Sequence, residues 1–494
     1  MRILFATSEL VPFAKTGGLA DVSGALPIAL SELGHECFVV MPAYREAIES
    51  GRPNSHLEVE FEVPIGNKHV CGRFLRSTLP GSKVPVFLVE QDDYYDRPQL
   101  YGEHGQDYRD NCERFVFFCR SVMEAIRLLD LNVDILHCND WQTGLIPAYL
   151  KTEYCHDPCY ERIGSLMTIH NMAYQGRFWH WDMLLTGIDW KHFNWHQMEF
   201  WGDLNLLKTG IVFADAINTV SPQYAQEIQQ APLGCGLEDV LKQRQSVLHG
   251  ILNGVDYTAW NPQDDDKLAC KYEVKDWKVG KAAAKRALGS EVNLPVADDI
   301  PLVGMIGRLA DQKGFDLVAQ VLPAWLERDV QWVVLGCGDP KYHDLLTHLA
   351  AQRPDKVSVH LEFSESLAHR IEAAADMFLM PSRYEPCGLN QLYSLRYGTV
   401  PIVRATGGLA DTIVDAHEPA ITDGTATGFS FDAYRPEELD HTLHRAVEAF
   451  HQKSLWAQLV EAGMRQDWSW SRSARQYADL YRDILASVQH SVSS

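Results

Sequence analysis

The sequence predicts an α/β protein built from two Rossmann-like, doubly wound domains, and three observations lead there. The chain has 494 residues, well past the roughly 250–300 at which a single hydrophobic core stops growing. Short apolar runs alternate with longer helical patterns, and this alternation restarts near residue 301. A six-residue word, Thr16-Gly17-Gly18-Leu19-Ala20-Asp21, recurs as Thr406-Gly407-Gly408-Leu409-Ala410-Asp411. Chance repetition of six residues in so short a chain is improbable, so the word marks equivalent strand-to-helix turns in two related halves.

In the first half the runs at 3–6, 37–41, 84–89, 134–138, 165–170 and 216–220 read as buried strands. They are apolar throughout rather than alternating, as a parallel sheet covered on both faces requires. Helical patterns at 20–33 and 113–129 lie between them. The second half repeats the grammar, with strands at 302–306, 332–335, 357–361, 377–380 and 399–403 and helices at 315–326, 367–375 and 389–397. Alternation of this kind defines doubly wound sheets. The turn signal Asn253-Gly254-Val255-Asp256 and the polar stretch Asn261-Pro262-Gln263-Asp264-Asp265-Asp266 place the boundary. The expected organisation is a first domain at 1–252, a linker region at 253–298 with a short charged helix at 281–288, a second domain at 299–467, and a C-terminal amphipathic helix within 468–494.

Forty-four Lys and Arg against 66 Asp and Glu give a formal charge of −22. A surface this acidic repels phosphate backbones and anionic lipid, which argues against nucleic acid and membrane as partners. An anionic ligand must therefore meet a local cluster of cations. The eleven cysteines form no metal framework: Cys155 and Cys159 flank His156 and Asp157, but no second pair completes a four-ligand site. The start, Met1-Arg2-Ile3-Leu4-Phe5-Ala6, turns polar at Thr7-Ser8-Glu9, too soon for a signal-peptide core. No run reaches the ~18 apolar residues that span a bilayer. A soluble, cytoplasmic protein is expected.

Ligands of doubly wound sheets bind beyond the carboxyl ends of the strands, which directs attention to the loops there. In Lys15-Thr16-Gly17-Gly18 two glycines admit a ligand close to the backbone, the following helix offers free N–H groups, and Lys15 adds charge. A shared turn in duplicated domains explains the glycines but leaves Lys15 unexplained. Arg308 and Lys313 occupy one loop after the strand ending at Ile306 and suit a diphosphate, Arg as a fork and Lys as a point charge. Glu385, in Arg383-Tyr384-Glu385-Pro386-Cys387-Gly388-Leu389, is an acceptor for sugar hydroxyls. Cys387 has no base fixed beside it, so close packing rather than nucleophilic attack is its expected role. Asp140 and His170 close two strands of the first domain.

These motifs together resemble the bacterial glycogen synthases and plant starch synthases. The resemblance rests on Lys15-Thr16-Gly17-Gly18-Leu19, Arg308 with Lys313-Gly314, Glu385-Pro386-Cys387-Gly388-Leu389 and Thr406-Gly407-Gly408-Leu409. His170-Asn171-Met172-Ala173-Tyr174-Gln175-Gly176 and Asp96-Arg97-Pro98 with Tyr101 match as well. It implies a GT-B fold, two Rossmann-like domains separated by a deep cleft, with a last helix returning to the first domain. It also implies a retaining transfer of glucose from ADP-glucose to the non-reducing end of an α-1,4-glucan, with no metal and no cofactor. ADP rather than UDP rests on the resemblance alone. Asp140, His170, Arg308, Lys313 and Glu385 are the catalytic residues it implies. Lys15, Gly17, Gly18, Asn171, Asn253, Cys387, Gly388, Leu389, Thr406, Gly407 and Gly408 join Arg308 and Lys313 around the donor. Asp96, Tyr101, Tyr174 and Gln175, with Asp140, lie on the acceptor side. The wider retaining GT-B class carries a second Glu for the ribose, and that position here is Tyr393.

Two other readings compete. A nicotinamide or flavin oxidoreductase has similar sheets, but no GxGxxG here opens a strand–helix unit with an acidic ribose partner; Gly336-Cys337-Gly338-Asp339 is a fragment. A non-catalytic glucan-binding protein would use some of the 13 Trp and 19 Tyr as stacking platforms, although most large aromatics fill cores. Such a protein is expected to lose charged site residues, yet Lys15, His170, Arg308, Lys313 and Glu385 are all present.

Overall fold

The apolar runs become the central strands of two sheets in the computed structural model, which describes residues 1–52 and 54–493. The contacts divide the chain into two units, Met1–Gly254 with Trp470–Ser494, and Val255–Ser469.

In the first unit nine strands form one sheet: β1 (Arg2–Ala6), β2 (Glu36–Pro42), β3 (Ser55–Ile65), β4 (Lys68–Thr78), β5 (Pro85–Glu90), β6 (Ile135–Asn139), β7 (Gly164–Ile169), β8 (Ala216–Thr219) and β9 (Leu248–Gly250). Their spatial order is β9-β8-β7-β6-β1-β2-β5-β4-β3. The strands from β9 to β5 pair in parallel. β3 and β4 add an antiparallel hairpin at one edge. The chain leaves β1 towards β2 and later returns to β1's other side as β6. The sheet's topological switch point therefore lies between β1 and β6, and their carboxyl ends are where a ligand is expected.

The hairpin is a difference from the sequence reading. In Leu57, Val59, Phe61, Val63 and Ile65, apolar residues alternate with His56, Glu58, Glu60, Glu62 and Pro64. Only one face is covered, so the continuous apolar signature of the inner strands is missing.

The last helix, Trp470–Ser493, belongs to this unit and packs on the helix Gly18–Glu32. Its inward residues Tyr477, Tyr481 and Ile484 are buried in the same core as β1 and β6. Two polar contacts fix its register. The Tyr481 hydroxyl meets His137 Nδ1 at 2.8 Å, and Asn218 Nδ2 donates to the Tyr477 hydroxyl at 2.8 Å.

The second unit holds six parallel strands: β10 (Leu302–Ile306), β11 (Gln331–Leu335), β12 (Val357–His360), β13 (Met377–Met380), β14 (Val400–Arg404) and β15 (Phe429–Phe431). The order is β12-β11-β10-β13-β14-β15, which puts the switch point between β10 and β13. The stretch 253–298, read from sequence as a linker region, groups with this unit from Val255 onward. Its helix Trp277–Glu291 buries two lysines. Lys285 pairs with Asp376 at 2.7 Å, while Lys281 donates to the carbonyls of Ala373 and Tyr397 and to Thr399 Oγ1. Buried ammonium groups need such partners, and they tie this helix to the amino ends of β13 and β14.

Candidate active site

In the first unit the loop after β1 carries the first copy of the repeated word. Glu9, buried, organises it: its carboxylate accepts from the backbone N–H of Thr16 at 2.6 Å and of Gly17 at 3.0 Å, and from the Thr16 hydroxyl at 2.6 Å. Tyr101 donates to the same carboxylate at 2.8 Å. The sequence reading missed Glu9; its one signal was an acidic residue three positions beyond the end of a buried strand. Lys15 pairs with Asp21, within the same motif, at 2.7 Å. Lys15 is exposed and Asp21 partly so, and a surface pair of this kind contributes about 0–1 kcal/mol, so an anion can compete for Lys15. A Cβ at Gly17 or Gly18 would meet nothing within 4 Å. The fold does not need these glycines, and the space over them is open.

Next to this loop, at the end of β6, Asp140 adopts φ +56°, a left-handed conformation that costs a non-glycine residue about 1–3 kcal/mol. Its carboxylate accepts from the His170 backbone N–H at 2.7 Å. Burial pushes the Asp140 carboxyl up to about 7, the nearby Glu9 charge adding to the effect against the His170 and Asn171 N–H groups. His170 is pushed the other way, to about 3, by burial, and is neutral. Asn139 Nδ2 donates to the Ala6 carbonyl at 3.1 Å, leaving Asn139 Oδ1 to accept from His170 Nε2 at 2.9 Å. That network assigns the proton to Nε2 and leaves the Nδ1 lone pair uncommitted within it.

The remaining first-unit candidates separate. Asn253 is buried beyond β9 with its side-chain oxygen lacking a protein partner, an unusual state for a buried polar atom and one that a ligand hydroxyl would relieve. Asn171 holds a local turn through the Ala173 N–H at 3.0 Å, and Tyr174 is exposed. The Gln175 side chain is engaged within the protein: it donates to the Met172 and Cys235 carbonyls and accepts from Asn205 at 2.8 Å, which makes it a tie between loops. Asp96 sits on the surface, paired with Arg45 at 2.7 Å, and only Tyr101 of that motif reaches the glycine loop.

In the second unit the loops after β10 and β13 meet at the switch point. Lys313 Nζ and Glu385 Oε2 are 2.6 Å apart, and Ser382 donates to the same oxygen at 3.0 Å. Glu385 is buried, so the ammonium group answers the cost of burying its charge. Asn390 Nδ2 donates to the Ile306 carbonyl at 2.9 Å and closes the junction between the two strands. Lys313, Ser382, Glu385, Gly388, Leu389 and Asn390 line a cavity of about 160 Å³ with the ends of β10 and β13. Arg308 is exposed and held by Gln312 at 2.5 Å. Cys387 is buried and packs.

The second copy of the repeated word does a different job from the first. Gly407 has φ +46°, and a Cβ there would lie 2.0 Å from the Glu385 carbonyl oxygen; one at Gly408 would lie 2.0 Å from that of Cys387. The Gly408 N–H is directed at the carbonyls of Glu385 and Pro386 at 3.2 and 3.1 Å. These glycines let the loop after β14 press against the loop that carries Glu385, and the Gly408 N–H is engaged within the protein. Tyr393 lies flat on Trp260, ring centroids 3.9 Å apart. Phe363, 90% exposed, follows β12 at the carboxyl edge and was not anticipated; its ring is free to stack on a flat ligand group. Among the described residues no group of three or more His, Cys, Asp or Glu is placed to hold a metal, and no helix is long and apolar enough to cross a membrane.

Two Rossmann-like units with these motifs at their strand ends define a GT-B glycosyltransferase. The family model for the starch synthase catalytic domain matches residues 2–243, and that for group 1 glycosyl transferases matches residues 291–466. The glycogen synthase of Rhodopirellula baltica is 47% identical, with 98% of each chain covered. That of Geotalea daltonii is 46% identical over 98% of this chain and 99% of its own. The catalytic domain of starch synthase IV from Arabidopsis thaliana, solved with ADP and acarbose, superposes with a TM-score of 0.89 at 32% identity, covering 98% of this chain and 99% of that one. The chain belongs to the glycogen synthase family and is a transferase of glucosyl units.

Proposed function

We propose that this chain moves glucose from ADP-glucose to the non-reducing end of an α-1,4-glucan with retention of anomeric configuration. The observation that carries this reading is the Lys313–Glu385 pair at the switch point of the second sheet, 2.6 Å apart and beside a cavity. A cation and a buried acceptor held side by side match a sugar diphosphate: phosphate to the ammonium group, sugar hydroxyls to the carboxylate. The starch synthase IV structure, similar over nearly the whole chain, holds ADP and acarbose, which supports an adenine nucleotide and a sugar polymer as substrates.

In the proposed reaction the bond between glucose C1 and the diphosphate oxygen breaks, and the acceptor hydroxyl forms the new C1–O bond on the face the leaving group vacates. Its proton passes to the departing phosphate oxygen, so no enzyme nucleophile is needed. Arg308 and Lys313 offset the charge that develops on ADP, and fixed charges of this kind act most strongly in the transition state. Glu385 orients the sugar through its hydroxyls. Lys15, Gly17 and Gly18 are assigned to the donor, with Asn171 and Asn253 on hydroxyl groups. Neutral His170 hydrogen-bonds rather than adding charge at the reacting centre, with Asp140 beside it. Tyr101, Asp96 and Tyr174 are assigned to the acceptor side, where Gln175 acts by tying the Tyr174 loop to Asn205 and Cys235. Cys387, Gly388 and Leu389 close on the sugar. Thr406, Gly407 and Gly408 act through the Glu385 loop.

The test is direct. Purified protein is incubated with glycogen and either ADP-glucose or UDP-glucose, without added metal, and nucleotide release and glucan growth are followed. Faster transfer from ADP-glucose is expected. No transfer from either donor overturns the reading, and a preference for UDP-glucose overturns the donor assignment.

A further inference from the structure

Every exposed tryptophan among the described residues lies in one segment of the first unit. Trp179, Trp181, Trp190, Trp195 and Trp201 are between 42% and 82% exposed. Soluble proteins rarely leave this much contiguous aromatic surface uncovered without a use for it. The rings form a connected row: Trp179 to Trp181 at 6.4 Å, Trp181 to Trp190 at 5.6 Å, and Trp190 to Phe193 at 5.1 Å between centroids. Ring against ring holds their orientations, so little rotamer freedom is left for a ligand to remove.

The segment is anchored. Arg177–Trp179 and Glu199–Phe200 both pair with Asp203–Asn205 as a three-stranded ribbon. Lys208, buried, donates to the carbonyls of Trp195 and Glu199. The base of the ribbon is continuous with the acceptor-side motif, since Asn205 donates to Gln175 at 2.8 Å and the Leu207 N–H to the Gln175 carbonyl at 3.0 Å.

Charge selects the occupant. Arg177 pairs with Asp203 at 2.7 Å and Lys191 with Asp189 at 3.6 Å. The surface around the rings is thus locally compensated in a protein of net charge −22, and it lacks the basic cluster that anionic lipid or nucleic acid would require. A neutral polymer with apolar faces and polar edges fits flat aromatic platforms of this kind, and the C–H faces of pyranose rings stack on indole.

We propose that the Trp179–Trp181–Trp190 row is a second, non-catalytic binding surface for α-glucan, which holds a polymer chain near the acceptor side of this unit. The proposal rests on the glucan-elongating reading above. The test uses the full chain with Trp179→Ala, Trp181→Ala and Trp190→Ala combined, and a second variant with Tyr at the same three positions. Migration in native gels containing glycogen reads binding without any need for activity. Transfer from ADP-glucose to glycogen and to maltotriose reads function. The Ala variant is expected to lose retardation by glycogen and to raise KM for glycogen about tenfold, with maltotriose kinetics unchanged and the Tyr variant close to the parent. Unchanged retardation and unchanged KM for glycogen would overturn the proposal. So would a change confined to oligomeric state by light scattering, or to vesicle binding, since the patch would then serve a second copy of the chain or a membrane. If the parent protein binds glycogen through these rings yet transfers no glucose, the proposed reaction fails and the binding surface stands.

Discussion

Lys313 and Glu385 are the residues on which the proposed chemistry depends most, and they constrain each other. Removing Lys313 outright would strand a buried carboxylate, so Lys313→Gln, whose amide can still donate to Glu385, separates chemistry from folding. Its kcat is expected to fall about 100- to 1000-fold, the usual loss when one charge-stabilising donor is removed, with the thermal midpoint near that of the parent. Turnover within about twofold of the parent would eliminate the leaving-group role. Asp140 offers a pH test. Its carboxyl titrates near 3.8 in the unfolded chain and is held up to about 7 in the fold. The folded state therefore binds more protons than the unfolded state between these values, and Asp140 lowers stability progressively as pH rises from about 4 to 7. Asp140→Asn, which keeps an acceptor for the His170 N–H, is expected to exceed the parent in stability at pH 8 by on the order of 1–2 kcal/mol, with the gap closing near pH 4. Urea denaturation at the two pH values measures it.

At the scale of elements, one six-residue word has two physical roles. The first copy leaves open space at both glycines, and Gly17 has an extended backbone that alanine accepts. Gly17→Ala is expected to change stability by less than about 0.5 kcal/mol while raising KM for the sugar nucleotide, because the new methyl group occupies ligand space. Gly408→Ala is expected to lower stability by about 1–3 kcal/mol, since its methyl group would collide with the Cys387 carbonyl, and to lower activity by displacing the Glu385 loop. Denaturation midpoints beside donor titrations distinguish the two outcomes; a Gly17→Ala variant with unaltered donor KM would remove that loop from the binding reading. The last helix shows the same coupling of element and residue. Tyr477→Phe removes the nearer of the two buried acceptors of the Asn218 amide, leaving Thr168 Oγ1 at 3.5 Å, and is expected to cost about 1–3 kcal/mol, read from the denaturation midpoint.

For the whole molecule, the parts that could be read from sequence are those where one physical signal dominates. Continuous apolar runs located β1, β2, β5, β6, β7 and β8 and all strands of the second sheet except β15, because strands covered on both faces carry no polar alternation. The β3–β4 hairpin escaped for the opposite reason, and β9 and β15, three residues each, are too short to show a period. The strand-end rule nominated Lys15, Asp140, Arg308, Lys313 and Glu385 as candidates, but which N–H group is engaged, or which amide is orphaned, depends on contacts between distant segments. The bonds that Glu9 makes to the glycine loop, the engaged Gly408 N–H and the unpartnered Asn253 oxygen became visible only in three dimensions. The course of the chain is of this kind as well: the first unit needs both ends of the sequence, whereas the second is the uninterrupted stretch Val255–Ser469. Its two ends meet within itself, where the Val255 N–H donates to the Trp468 carbonyl at 2.7 Å, and its core contains no residue from outside the stretch. A fragment of residues 255–469 is therefore expected to fold alone, with a single cooperative denaturation transition. A fragment of residues 1–254 lacks Tyr477 and Tyr481, the partners of buried Asn218 and His137, along with the apolar face of the final helix. It is expected to show no cooperative transition unless 470–494 is fused back to it. A cooperative transition from 1–254 alone, at the parent's midpoint, would show that the final helix is dispensable to the first sheet.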